Sequence, residues 1–124
     1  MRALDRAQES LRSGVTSLRD LGGKDFLEFA VRDACNSGHQ LGPTILAAGQ
    51  MICMTGGHGN AFGRVADGPH EVIKAVREQV HAGSDLIKIM ATGGVMTPGV
   101  NPEDAHYSLE ELTVGIHAVS YTHL

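Results

Sequence analysis

Asp85-Leu86-Ile87-Lys88-Ile89-Met90 is a run of strand length in which every neighbour of one lysine is apolar. Side chains alternate along a strand, so Ile87 and Ile89 face one side and Leu86, Lys88 and Met90 the other. If the isoleucines pack under helices, the lysine points to the opposite face, which in a closed barrel is the interior. An unpaired ammonium there costs several kcal/mol of desolvation, so the amine must find an anion, lose its proton or be chemically modified. The competing reading is plainer: the lysine stem lies on apolar surface and the head reaches solvent at the strand's end.

Working outward, Gly83 closes a helix that begins with Pro69 at its first position and carries Val72, Val76 and Val80 as one stripe. Before it, residues 43–49 (PTILAAG) form a compact apolar run, as expected of a parallel strand buried on both faces. Earlier still, Leu4, Ala7 and Leu11 recur at helical spacing before Gly14, residues 15–21 read as a strand, and Leu27, Ala30, Val31 and Ala34 form a second helical stripe. Downstream, Ser108 and Glu111 make an S-x-x-E capping box that starts a fourth helix. Strands alternating with helices imply an α/β fold with a parallel sheet, either doubly wound or a (β/α)8 barrel. A complete eight-stranded barrel takes roughly 250 residues. This chain has 124 and shows three strands, so on the barrel reading most of the sheet lies outside it.

Hydrophobic residues make up 42% of the chain and charged residues 19%, enough apolar material for a core and too much for disorder. The net charge of -4, with no Lys/Arg cluster, gives no reason to expect nucleic acid or an anionic membrane as partner; a small molecule is expected instead. No stretch approaches the roughly 20 apolar residues of a membrane helix, and the charged residues 2–11 are no signal-peptide core, so a cytoplasmic location is expected. Cys35 and Cys53 lack metal-ligand spacing.

Two glycine-rich loops follow strands: Thr55-Gly56-Gly57-His58-Gly59, and Thr92-Gly93-Gly94 after the Lys88 strand. Loops at this end of α/β strands are where ligands bind, and paired glycines let backbone N-H groups come close to one. Tight turns need glycine as well. His58 reads as a metal ligand, a substrate contact or an ordinary loop histidine. His39, His70 and His81 fall at solvated helix positions, and His106, His117 and His123 form no paired H-x-H or H-E-x-x-H pattern. Arg19 and Asp20 read as an ion pair at the end of the first strand.

Four segments, residues 14–23 (GVTSLRDLGG), 42–59 (GPTILAAGQMICMTGGHG), 65–102 (with DLIKIMATGG its most specific part) and 107–112 (YSLEEL), resemble the amidohydrolase superfamily, in particular its imidazolonepropionase-like and Xaa-Pro dipeptidase members. The resemblance implies a fragment of a (β/α)8 TIM barrel, about strands 2 to 4, in an enzyme that hydrolyses carbon-nitrogen bonds of a small amide or dipeptide-like substrate. It also implies two divalent metals, usually zinc, bridged by a lysine carboxylated with carbon dioxide on the fourth strand, the position Lys88 matches. His58 is similar to the family's substrate-facing histidine after the third strand. The family's H-x-H pair, its later histidines and its aspartate have no counterpart here, so the chain alone is expected to be inactive. Residues 1–118 form the expected partial barrel domain. Residues 119–124 depart from the family pattern and look like a non-native tail, to be excluded from fold reasoning. A different class of function also fits the loops: a non-catalytic module binding an anion such as phosphate through backbone N-H groups at helix N-termini. The sequence leaves the oligomeric state open.

Overall fold

The computed structural model describes residues 2–121. The chain runs α1 (Arg2–Arg12), β1 (Ser17–Asp20), α2 (Leu27–Asn36), β2 (Thr44–Ala47), β3 (Ile52–Cys53), β4 (Arg64–Val65), α3 (Gly68–Ala82) and α4 (Leu109–Tyr121). The four helices expected from apolar spacing are all present. Their ends follow local chemistry. α3 stops at Gly83, whose φ of 100° is the left-handed geometry that glycine adopts without a Cβ clash, and whose N-H is donated back to the Val80 carbonyl. α4 starts on the expected capping box: the Ser108 N-H donates to Glu111 Oε2 at 2.7 Å and the Glu111 N-H to Ser108 Oγ at 3.2 Å. The boundary at 118/119 falls inside α4, and residues 122–124 of the expected tail, His123 among them, lie outside the described residues.

β1 and β2 pair in parallel, Ser17 opposite Thr44 through Asp20 opposite Ala47. Beyond β2 the chain turns at Gly49 and continues as β3, which pairs in parallel with β4. The β4 strand has no apolar run to mark it, and its sequence reads as part of a glycine-rich loop.

The stretch 85–90, expected as a strand, differs from that expectation. It touches the sheet at two points. The Asp85 N-H donates to the Ala47 carbonyl at 2.9 Å, and further on Ile52 exchanges two parallel bonds with the Lys88 carbonyl and the Met90 N-H, both 2.8 Å. Between those points the neighbouring path bends at Gly49, so the ladder is interrupted and only one bridge, Ile52 to Ile89, is regular.

Two apolar clusters hold the elements. The larger joins Ile52, Ala66, Val72, Ala75, Val76, Tyr107 and Ala118, with Ile87 and Ile89 packed against it. The smaller joins Ala7, Cys35 and Ile45, with Leu4, Leu18 and Val31 alongside. Polar anchors connect them. Gln79, almost fully buried, accepts the Gln50 N-H at 2.8 Å, and the Ser84 hydroxyl donates to the Ala48 carbonyl at 2.9 Å, which fixes the end of α3 against the β2–β3 bend. Arg32 of α2 donates to Asp85 Oδ2 at 2.9 Å, and the same oxygen accepts the Ala47 N-H at 3.0 Å. The start of the Lys88 segment is thereby tied to both α2 and β2.

Candidate active site

The placement of Lys88 follows from the isoleucines on either side. Burying Ile87 and Ile89 against α3 and α4 turns Lys88 to the other face, where it is half-buried. It lines a cavity of about 270 Å³ with His58, Ile89, Met90, Ala91, Thr92 and Gly93. The two residues singled out in the sequence, 30 positions apart, thus share one cavity at the same end of the sheet. Among the described residues no carboxylate lies within ion-pair distance of the Lys88 amine. Of the alternatives open for that amine, pairing with a protein anion does not occur among the described residues.

His58 is held from two sides. Its Nδ1 lies 2.8 Å from Thr97 Oγ1, and the same oxygen accepts the Gly59 N-H at 3.3 Å. Gly94 is pressed against the ring: a Cβ added there would come within 2.4 to 2.5 Å of Nε2, Cδ2 and Cε1. Such nearly equal distances to three ring atoms put that point above the ring face, so Gly94 lies over the flat of the imidazole. The loop that carries Gly94 and Thr97 is closed at its base. The Gly93 N-H donates to the Asp104 carbonyl, the His106 N-H to the Ala91 carbonyl, and Thr92 faces Ala105 in an antiparallel bridge.

The first glycine-rich loop is anchored through Thr55, whose N-H donates to Asp67 Oδ1 at 3.0 Å and whose hydroxyl donates to Oδ2. Those bonds, the hydroxyl first, hold the Asp67 carboxyl below its ordinary value. Tyr107, buried under the loop, donates its hydroxyl to the Ala66 carbonyl at 2.7 Å, and burial pushes its phenol well up. These residues shape the floor and do not line the Lys88 cavity.

Other candidates are dispersed. His39 is exposed and bonds the Ser37 hydroxyl, and His70 and His81 lie on a solvated depression of about 480 Å³ along α3, well removed in sequence and lining from the glycine loops. Arg19 and Asp20 make no ion pair with each other, contrary to the sequence reading. Adjacent strand residues point to opposite faces, and Asp20 Oδ1 instead accepts the Gly22 N-H at 3.0 Å. His106 is the residue the sequence understated. It is buried, its Nδ1 has no hydrogen-bond partner, and it lines a cleft with Met54, Gly56, Asn101, Glu103 and Asp104. Its only sequence signal is a position two residues before the capping box.

No group of three or more His, Cys, Asp or Glu side chains able to hold a metal occurs among the described residues.

Comparison with known proteins gives one family model, that of the amidohydrolase family, matching residues 2–116. Ochratoxinase of Aspergillus niger is 36% identical over 131 residues, covering 86% of this chain and 27% of the relative. A Xaa-Pro dipeptidase crystallised with methionine in its active site superposes with a TM-score of 0.90 at 33% identity, over 98% of this chain and 34% of that one. A prolidase complexed with N-methylphosphonate-L-proline superposes at 0.88 and 32% identity, again over 98% and 34%. The chain therefore spans about a quarter to a third of the length of these relatives. With an α/β fold matching these barrel enzymes over nearly all its length, and a family model matched across most of its residues, the chain belongs to the amidohydrolase family.

Proposed function

We propose that this chain is the strand 2 to strand 4 portion of a (β/α)8 barrel hydrolase that cleaves carbon-nitrogen bonds in small amide or dipeptide-like substrates, with residues 1–118 as barrel and 119–124 foreign to it. The observation that carries the reading is the Lys88 amine, turned into a cavity shared with His58 and without an anionic partner among the described residues. Relatives named as ochratoxinase, Xaa-Pro dipeptidase and prolidase support the substrate class.

In this reading Lys88 is the metal-bridging residue. Its free amine adds to carbon dioxide, forming an N-C bond and releasing one proton, and the resulting carbamate is the anion that the cavity otherwise lacks. Two divalent ions, zinc by preference, supply when bound an acidified water and an electrophilic pull on the scissile carbonyl. The remaining work falls to the protein. His58 presents Nε2 to the substrate, Gly94 keeps its ring face in place, and Met90 lines the same cavity. The other ligands belong to strands outside this chain, so the chain by itself is inactive.

In the complete enzyme, Lys88→Ala is expected to lower kcat/KM about a thousandfold, equivalent to the several kcal/mol that metal ions contribute to transition-state stabilisation, with partial rescue by a short carboxylic acid. Near-normal activity with no rescue would remove the bridging role. The anion-binding alternative finds little support, because carboxylates of the chain already take N-H groups at the starts of α3 and α4, the Ser108 N-H going to Glu111. Gly68 N-H donates to Glu111 Oε1 at 2.8 Å, and Asp67 N-H to Glu71.

A further inference from the structure

We propose that Thr97 is the positioning residue that fixes His58 in the tautomer carrying its proton on Nε2. The inference deepens the hydrolase reading and rests on it for the role of His58; the tautomer is argued separately, from the partners of the Thr97 hydroxyl.

The Thr97 hydroxyl has one proton to give and two lone pairs to receive with. One lone pair is engaged by the Gly59 N-H at 3.3 Å. Among the described residues the hydroxyl proton has a single acceptor within reach, Nδ1 of His58 at 2.8 Å. Donation of that proton to Nδ1 is the arrangement that uses the hydroxyl hydrogen within the protein, and it makes Nδ1 the acceptor nitrogen. A neutral imidazole with an accepting Nδ1 carries its hydrogen on Nε2. That nitrogen has no hydrogen-bond partner among the described residues, His58 lines the cavity, and Gly94 lies over the ring face. The consequence is a fixed N-H donor at the cavity shared with Lys88, suited to a carbonyl oxygen of the substrate and unsuited to a bare cation, which requires a lone pair.

The device is built from distant parts of the chain. Thr97 is half-buried at the tip of the 91–106 loop, while its neighbours Val95 and Met96 are 88% and 86% exposed. The loop therefore contributes one hydroxyl to the site and little packing, which is the pattern of an orienting contact more than a structural one.

The test uses the complete enzyme with histidine labelled in nitrogen-15, the His58 signals being assigned by their loss in His58→Gln. Wild type is expected to show a protonated Nε2 and an unprotonated Nδ1. Thr97→Val, which keeps the shape and removes the hydroxyl, is expected to shift His58 toward a mixture of tautomers and to lower kcat/KM about tenfold, the size typical of losing an orienting partner of a site histidine. Thr97→Ser should restore both readouts. A protonated Nδ1 in wild type, or a tautomer unchanged in Thr97→Val, overturns the proposal. An altered tautomer with unchanged kcat/KM overturns the role given to His58 in the hydrolase and confirms the lock itself, so the two failures are distinguishable.

Discussion

Glu28 sits on α2 with only 9% of its surface exposed, and neither carboxylate oxygen has a well-formed hydrogen bond. Burial raises its pKa above the ordinary 4.5; the nearby N-H groups of Glu28 itself and Gly23 act the other way, and the charge of Asp20 adds to the rise. For a carboxyl raised in the fold, the unfolded chain gives up its proton first. Stability is therefore fully present below about pH 4.5 and falls as pH rises through the folded value. Glu28→Gln, which mimics the protonated form, is expected to stabilise the protein by about 1 kcal/mol at pH 7 and by nothing at pH 4. Urea midpoints at the two pH values check this, and an equal effect at both would mean that the Glu28 charge is not the cause. Lys88 presents the opposite problem, an amine whose surroundings supply no anion, and the chemistry proposed for it removes the mismatch by making the residue itself anionic.

At the level of elements, the α4 capping box does more than begin a helix. Glu111 accepts the Ser108 N-H through one oxygen and the Gly68 N-H through the other, at 2.7 and 2.8 Å, so the starts of α3 and α4 share one carboxylate. The Ser108 N-H, foremost among its contacts, holds the Glu111 pKa below 4.5. Its contribution is thus present above pH 4.5 and is lost as pH falls through the lower, folded value. Glu111→Ala is expected to cost about 1 kcal/mol at pH 7, in the range of a lost helix cap, and less near pH 3. Thermal melts of the variant and wild type at both pH values measure it; a cost that does not shrink in acid would assign it to packing. The 85–90 segment shows how far an element depends on its neighbours. Its sequence is that of a strand, yet its ladder is broken where the adjacent path bends at Gly49.

Over the whole molecule, the face opposite the helices is uncovered. Ser17, Arg19 and Thr44 are exposed on β1 and β2, and Leu46 remains 43% exposed between buried Ile45 and Ala47. The two short sheets also leave strand edges unpaired among the described residues. An apolar side chain on an open sheet face, with free edges beside it, favours association over a solitary fold. The isolated 124-residue chain is expected to melt over a broad range and to bind a hydrophobic dye, whereas the complete barrel melts sharply; a sharp cooperative transition of the chain alone would show that its two apolar clusters suffice.

Much of this protein was decided by the order of its residues. Helix periodicity, the Ser108–Glu111 box and the glycine at the end of α3 placed the helices, because those signals act within a few residues of the backbone they govern. The apolar flanks of Lys88 set the face it occupies, since alternation is a local property of extended chain. Contacts between distant segments carried no such mark. The β4 strand, the buried His106, the unpartnered Glu28 and the Thr97 hydroxyl on His58 depend on where loops 40 or more residues apart in some cases, and fewer in others, come to rest. Packing around two apolar clusters sets those meetings, and no local pattern encodes them, so only the tertiary structure could bring Lys88 and His58 to one cavity and set the Thr97 hydroxyl against His58.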